Sequence, residues 1–218
     1  MNKSKNCVLL LLLLSGTLMF LLPNTAYANP GTTSTVDANP TAHATTGDLS
    51  VSDPAYAYDG NLANCAQFGY DPSTAGTFEV KTFTTPSSDT ILAVDFKMNY
   101  AADESKDPEY YRIIYYVGSS SPVVLVPWTF AAHSKSTVTW ASQAEPNDGT
   151  WSWADISDIR FVVETQTGGG KAHIFYEYEA WVTVTTYTYQ KGTISVSPAS
   201  LTDPGSPFTV DIDIASVE

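Results

Sequence analysis

Apolar and polar residues alternate along several stretches of this chain. Leu92, Val94, Phe96, Met98 and Tyr100 are separated by residues that include Asp95, Lys97 and Asn99, and the same period returns in Ile159, Phe161 and Val163. It returns once more in Ile174, Tyr176, Tyr178, Ala180, Val182 and Val184. Successive side chains of a strand point to opposite faces, so each stretch predicts a strand with one buried face. Further strands are expected over 64–70, 78–84, 110–117, 123–130 and 137–140. Turn signals punctuate them: Asp59-Gly60, Asp71-Pro72, Thr85-Pro86, Asn147-Asp148-Gly149 and Gly168-Gly169-Gly170. Many short strands with turn-rich joints and no helical crossovers predict an all-β fold, an antiparallel β-sandwich of the jelly-roll kind. The last strand, 172–187, is long enough to run through the centre of its sheet.

Both ends of the chain read differently. Lys3 and Lys5 lead into an apolar run from Val8 to Leu22, and Ala26-Tyr27-Ala28 supplies small residues for cleavage. That pattern predicts an export signal over 1–28, its apolar run shorter than the roughly 20 residues that span a bilayer. Residues 29–47 are dominated by Thr, Ala, Pro, Gly, Asn and Ser, with Val36 the only large aliphatic, and predict a flexible spacer. The sandwich is expected over 48–189. Beyond it, 190–218 holds Ile194 and Val196, a turn-rich break from Pro198 to Pro207, and an alternating Phe208, Val210, Ile212 and Ile214. Two strands bury too little to offset an ordering entropy of roughly 1–2 kcal/mol per residue, so this is expected to be the start of an incomplete second β module.

Charge narrows the partners. With 23 acidic against 10 basic residues the net charge is −13, and loss of Lys3 and Lys5 with a signal peptide makes it more negative. Nucleic acid is a poor partner for such a chain, because counterion release needs lysine and arginine. Cys7 belongs to the export signal, which leaves Cys65 alone without an internal disulfide; a buried thiol is the favoured expectation and an intermolecular hook the alternative.

Candidate chemistry concentrates on the closing strand and on aromatic residues. Glu177 and Glu179 are two apart on one strand, which on regular geometry places both carboxylates on one face about 7 Å apart, within the range of glycosidase acid pairs. The other reading is a solvated acidic face that discourages strand pairing. Phe175 and Trp181 share the parity of these glutamates, so they form either an exposed platform for sugar rings or a small second core. Trp128, Trp140, Trp151 and Trp153 are the remaining tryptophans, at least half of them expected in the core, with Trp151 and Trp153 the candidate ligand contacts among these. Tyr110, Tyr111, Tyr115 and Tyr116 are expected to pack. His43, His133 and His173 have no partners at metal-ligand spacing, so no transition metal is expected. Asp53, Asp59 and Asn61 lie in one early loop and, with Glu179, offer the oxygen ligands of a structural calcium ion; ordinary turn formation accounts for the same residues.

Three phrases resemble known families. Tyr56-Ala57-Tyr58-Asp59-Gly60-Asn61 is similar to the opening of discoidin-like and galactose-binding-like sandwiches, and Trp151-Ser152-Trp153-Ala154-Asp155-Ile156 looks like the end of extracellular jelly rolls. Ile194 to Glu218 resembles the opening of cohesin-type modules, which implies a dockerin-type partner within a surface or polysaccharide-processing assembly. By contrast, Glu177-Tyr178-Glu179-Ala180-Trp181 lacks the middle acid of the laminarinase-type motif, so no enzyme is expected. The resulting expectation is an extracellular, non-catalytic module binding carbohydrate or a surface protein. The alternative is a self-associating envelope or virion-like sandwich, and a jelly-roll glycosidase ranks behind both.

Overall fold

The long closing strand organises what the alternation predicts. The structure is a computed structural model and describes residues 31–70, 75–103, 110–166 and 173–189. In chain order its strands are β1 (Thr32–Ala38), β2 (Pro40–Gly47), β3 (Val51–Ser52), β4 (Ala66–Tyr70), β5 (Gly76–Phe83), β6 (Thr90–Ala102), β7 (Tyr110–Val117), β8 (Val123–Thr129), β9 (His133–Trp140), β10 (Ile159–Gln166) and β11 (His173–Thr188). A 3-10 turn at Pro54–Ala57 and a short helix, α1 (Trp153–Ser157), are the only described helical pieces. One sheet runs β3-β4-β11-β6-β9 with β1 also on β11, the other β2-β5-β10-β7-β8, and every pairing is antiparallel. The chain passes from sheet to sheet at almost every joint, which is the jelly-roll sandwich that the strand pattern predicts.

Aromatic rings hold the two sheets together. Phe96 of the six-stranded sheet stacks on Tyr115 of the five-stranded sheet with centroids 4.1 Å apart, and meets Phe161 edge-on at 5.3 Å. Nearer the start of β11, Phe175 stacks on Phe68 at 5.1 Å and on Tyr100 at 5.3 Å, while Tyr111 reaches it edge-on from the opposite sheet. Each such ring buries a large apolar area and adds about 0.5–1.5 kcal/mol from ring geometry. Burial pushes the Tyr115 hydroxyl up to about 12, with Glu145's charge adding to it; the group stays protonated and donates to the Ala144 carbonyl at 2.8 Å.

The Thr-rich segment is not a spacer. β1 pairs with β11 from Thr32↔Thr188 to Ala38↔Val182, and β2 pairs with β5 from Pro40↔Phe83 to Gly47↔Gly76. The compact unit accordingly spans Gly31–Thr188 rather than beginning at residue 48; of a second unit, Met1–Pro30 with Tyr189–Glu218, only Tyr189 is described. Composition misleads here because threonine and alanine suit an edge strand: Ala38 and Pro40 turn inward, and main-chain pairing supplies most of the rest. Gly47 closes β2 at φ +73°, where a Cβ would meet the Ala75 carbonyl. The predicted export signal and the cohesin-like segment lie outside the described residues.

A buried carboxylate shapes the joint between β9 and α1, where only a turn is expected from Asn147-Asp148-Gly149. Glu145 accepts N–H bonds from Asn147 and Asp148 at 2.7 Å each, and from Gly149 at 3.3 Å. Burial works against its charge, but these donors and the Asn147 side chain outweigh it and hold the carboxyl below the usual range. α1 follows, capped by Ser152 and Asp155 in a reciprocal capping box.

Because β1 and β2 are strands of the two sheets, a chain starting at residue 48 is expected to lose its cooperative thermal transition and its near-UV circular dichroism. A chain starting at residue 29 should keep both. Circular dichroism melts of the two purified proteins measure the difference.

Candidate functional site

The outer face of the five-stranded sheet carries the most concentrated polar and aromatic chemistry among the described residues. Strand register lines up its outward side chains in rungs: Ala42, Lys81, Arg160 and Tyr116; then Ala44, Glu79, Val162, Ile114 and Val124; then Thr46, Thr77, Glu164 and Arg112. The alternate residues Phe78, Val80, Tyr115, Phe161 and Val163 face inward and form the core. Tyr111 and Tyr115 therefore pack as expected, whereas their neighbours Tyr110 and Tyr116 belong to the outer face.

Both arginines of the chain lie on this face, and each is held twice. The Arg112 guanidinium sits 4.7 Å over the Trp128 ring and bonds through Nε to Glu164. Arg160 sits 4.4 Å over the Tyr116 ring and lies 3.7 Å from Glu79, whose other oxygen takes a 2.9 Å bond from Lys81. Burial chiefly, and the charge of Glu164 next, raise the Tyr116 hydroxyl, while Arg112 and Arg160 pull it down, so these groups share one electrostatic neighbourhood. Ile114 and Val162, 0% and 2% exposed, stand outside the inter-sheet core and are shielded by the long side chains flanking them.

At the β8 margin the face turns apolar. Val124 is 49% exposed, Trp128 39% and Phe130 50%, and Phe130 meets the Tyr110 ring edge-on at 5.8 Å. Where β5 and β7 end and β10 begins, an open depression of about 270 Å³ is lined by Lys81, Thr82, Gly118, Ser157, Asp158, Ile159 and Arg160. Thr82 there adopts φ +58°, a left-handed conformation that a β-branched residue rarely takes.

A second locus lies on β11, where the predicted residues are rearranged by a β-bulge between Glu177 and Glu179. Tyr178 is the extra residue, so the alternation changes phase. Before it Phe175 and Glu177 are buried; after it Ala180, Val182 and Val184 are. Phe175, expected beside Trp181 on a platform, is therefore 0% exposed and inside the aromatic core. Trp181 faces outward from the six-stranded sheet, half-buried opposite Lys97. Neither glutamate belongs to a solvated face, and the bulge removes the simple same-face spacing between them.

Glu177 is 1% exposed and its Oε1 has no hydrogen-bond partner among the described residues. Burial, with the neighbouring Glu179 charge, raises it well above the usual range. Glu179 accepts the Gly60 N–H at 2.9 Å; burial raises it to about 7, with that bond opposing and Asp59 adding to the rise. Gly60 takes φ +75°, which brings its N–H to the carboxylate.

The remaining sequence candidates take supporting places. Asp59 receives Asn61 N–H at 2.8 Å and the Asn64 side chain at 3.1 Å, and Asn61 Oδ1 receives Ala63 N–H, as in Asx turns. Asp53 is exposed at the start of the 3-10 turn, away from this set of bonds. Among the described residues no three His, Cys, Asp or Glu side chains are grouped to hold a metal. Glu177 and Glu179, neighbouring carboxylates, offer hard oxygen atoms that would suit calcium rather than a transition metal. Trp151 and Trp153 are partly buried against the core and donate to the Gln143 and Asp89 carbonyls, each at 2.8 Å, so neither lies on an open face. Cys65 is half-exposed rather than buried, and its sulfur accepts from Gln67.

No family model matches this chain, and no curated protein does. Solved structures that it resembles include TmCBM61 in complex with beta-1,4-galactotriose, at 9% identity and a TM-score of 0.36, covering 66% of this chain and 89% of that one. Another is a family two carbohydrate esterase from Cellvibrio japonicus, at 12% identity and a TM-score of 0.29, covering 75% of this chain and 37% of that one.

The buried acids give the protein a pH dependence in the presence of chelator. Their folded values lie above the usual 4.5, so the folded state binds more protons than the unfolded state. The contribution of Glu179 to stability is fully present below about 4.5 and is lost as pH rises through about 7, and Glu177 acts in the same direction. Urea midpoints measured from pH 4.5 to 8 in chelator should fall for the native protein, and Glu179→Gln should flatten part of that fall.

Proposed function

We propose that this protein is an exported, non-catalytic module that binds carbohydrate on the outer face of the β2-β5-β10-β7-β8 sheet. The observation that carries this reading is the pair of arginine–aromatic stacks on the outer face of one sheet, each tied to a glutamate. A sugar ring offers an apolar face and a rim of hydroxyls that both donate and accept. Trp128, Phe130 and Tyr116 supply rings for the first, and Arg112, Arg160, Glu79, Glu164 and Lys81 supply donors and acceptors for the second. Stability alone accounts poorly for the arrangement, since partly exposed ion pairs contribute about 0–1 kcal/mol and pay side-chain entropy to stay ordered.

Export is proposed from the pattern of residues 1–28. A surface assembly with a dockerin-type partner is the finer reading, and it depends on the segment 190–218. Calcium enters as a structural ion beside Glu177 and Glu179, with main-chain oxygens and water completing its shell, and its charge would relieve the burial of two neighbouring carboxylates. Support for this comes from the orphaned Glu177 oxygen, because a buried acceptor without a partner costs about 1–3 kcal/mol.

Two measurements test these readings. Trp128→Ala should weaken retardation in polysaccharide affinity gels at least about tenfold, roughly 1.4 kcal/mol, with the melting temperature little changed. Failure of every polysaccharide to retard the native protein removes the carbohydrate reading. Separately, millimolar calcium should raise the melting temperature of chelator-treated protein, by an amount equivalent to about 2.7 kcal/mol when calcium is a hundredfold above its dissociation constant. Glu177→Gln should abolish most of that rise, and an unchanged rise in this variant excludes Glu177 as a ligand.

A further inference from the structure

We infer that Glu79 and Glu164 set the charge specificity of the outer sheet face, so that it takes neutral polysaccharide chains and rejects acidic ones. This rests on the carbohydrate reading above and names its ligand class.

Positive charge among the described residues concentrates on this face. Lys81, Lys97, Arg112, Lys135 and Arg160 are the cations among the described residues, and Lys81, Arg112 and Arg160 stand on this one face. In a chain of net charge −13, three cations within three rungs of a sheet would make the natural landing place for a polyanion. The two glutamates cancel that attraction from within. Glu164 engages Arg112, and Glu79 bridges Lys81 and Arg160 through separate oxygens. Both glutamate side chains are largely covered, 13% exposed for Glu79 and 16% for Glu164, so solvent screens them less than surface acids.

A uronate carboxylate reaching Arg112 would therefore have to displace Glu164 or accept its repulsion across a short distance. A hydroxyl meets no such conflict. Arg112 commits Nε to Glu164 and leaves its other N–H groups to point at a ligand acceptor, while glutamate lone pairs can receive a ligand O–H. The result is a surface with donors and acceptors interleaved and its three cations reduced by two carboxylates to a formal charge of +1, which suits a polyol better than a carboxylate. The two stacks also give direction. Arg112 and Tyr116 are four residues apart on β7, about 13 Å at about 3.3 Å per residue, whereas the stacks are offset by only about one strand spacing across the sheet. A chain of several sugar rings lying along β7 would meet both arginine stacks.

The test is affinity electrophoresis of the full chain against neutral polysaccharides (xylan, galactan and mixed-linkage glucan) and acidic ones (polygalacturonate and alginate). Native protein should be retarded by at least one neutral polymer and by neither acidic one. The double exchange Glu79→Gln with Glu164→Gln should acquire retardation by polygalacturonate at about 20 mM salt, at least tenfold stronger than native, and lose it near 500 mM, where the screening length is about 4 Å. Retardation of the native protein by acidic polymers, or no gain in a folded double variant, overturns the inference while leaving carbohydrate binding in place. Retardation by neither class removes the carbohydrate reading and this inference with it. Should the double variant not fold, the native protein decides the matter alone: neutral-polymer binding that changes less than about twofold between the two salt concentrations supports the inference, and a tenfold fall overturns it.

Discussion

The main-chain pairing of β11 is the constraint on which the six-stranded sheet depends. This strand bonds to β6 along most of its length and, on its other edge, to β4 near its start and β1 near its end. A strand flanked on both sides cannot slide without breaking both ladders, so its register fixes which residues reach the core. The bulge at Tyr178 is where that register changes phase. It allows Phe175 to join the aromatic cluster at one end and Val182 and Val184 to join the aliphatic core at the other, from positions of opposite parity. The consequence is a pair of glutamates carried into or against the interior, one latched by Gly60 and one left without a partner among the described residues.

The two sheets divide the work. Aromatic contact between Phe96, Tyr115 and Phe161, and between Phe175, Tyr100 and Tyr111, makes the sandwich rigid without a disulfide. Rigidity matters to the opposite side of β7 and β10, because each inward aromatic has an outward polar residue beside it in the chain. Tyr115 inward is adjacent to Tyr116 outward, and Phe161 inward is adjacent to Arg160 outward. A platform built on paired strands holds its side chains more firmly than one built on loops.

Much of this was legible in the alternation of apolar and polar residues. Phe96, Val94 and Met98 are buried where the period places them, and so are Ile159, Phe161 and Val163. The segment 29–47 was illegible by the same means, because edge strands rich in threonine bury little and their stability comes from pairing to β5 and β11. On β11 the period holds after the bulge and fails before it: Ile174, Tyr176 and Tyr178 are only half-buried where burial was expected. No residue type announces a bulge, so parity-based placement of Phe175, Glu177 and Glu179 could not succeed. The Arg112–Trp128 stack was equally hidden. It joins neighbouring strands through a pairing broken by two register shifts, and only the alternation in Tyr110 to Tyr116 hinted that two of its tyrosines faced outward.

The sequence by itself determined that this chain makes an antiparallel sandwich, since a period of two over many short segments can bury its apolar side only by packing sheet on sheet. Tertiary structure alone decided which polar residues came together. Glu164 meets Arg112 and Glu79 meets Arg160 through strand pairings between residues far apart in the chain, and Glu179 meets Gly60 across 119 positions. Such contacts depend on strand order and register, which are set by the whole core and not by any local stretch of residues.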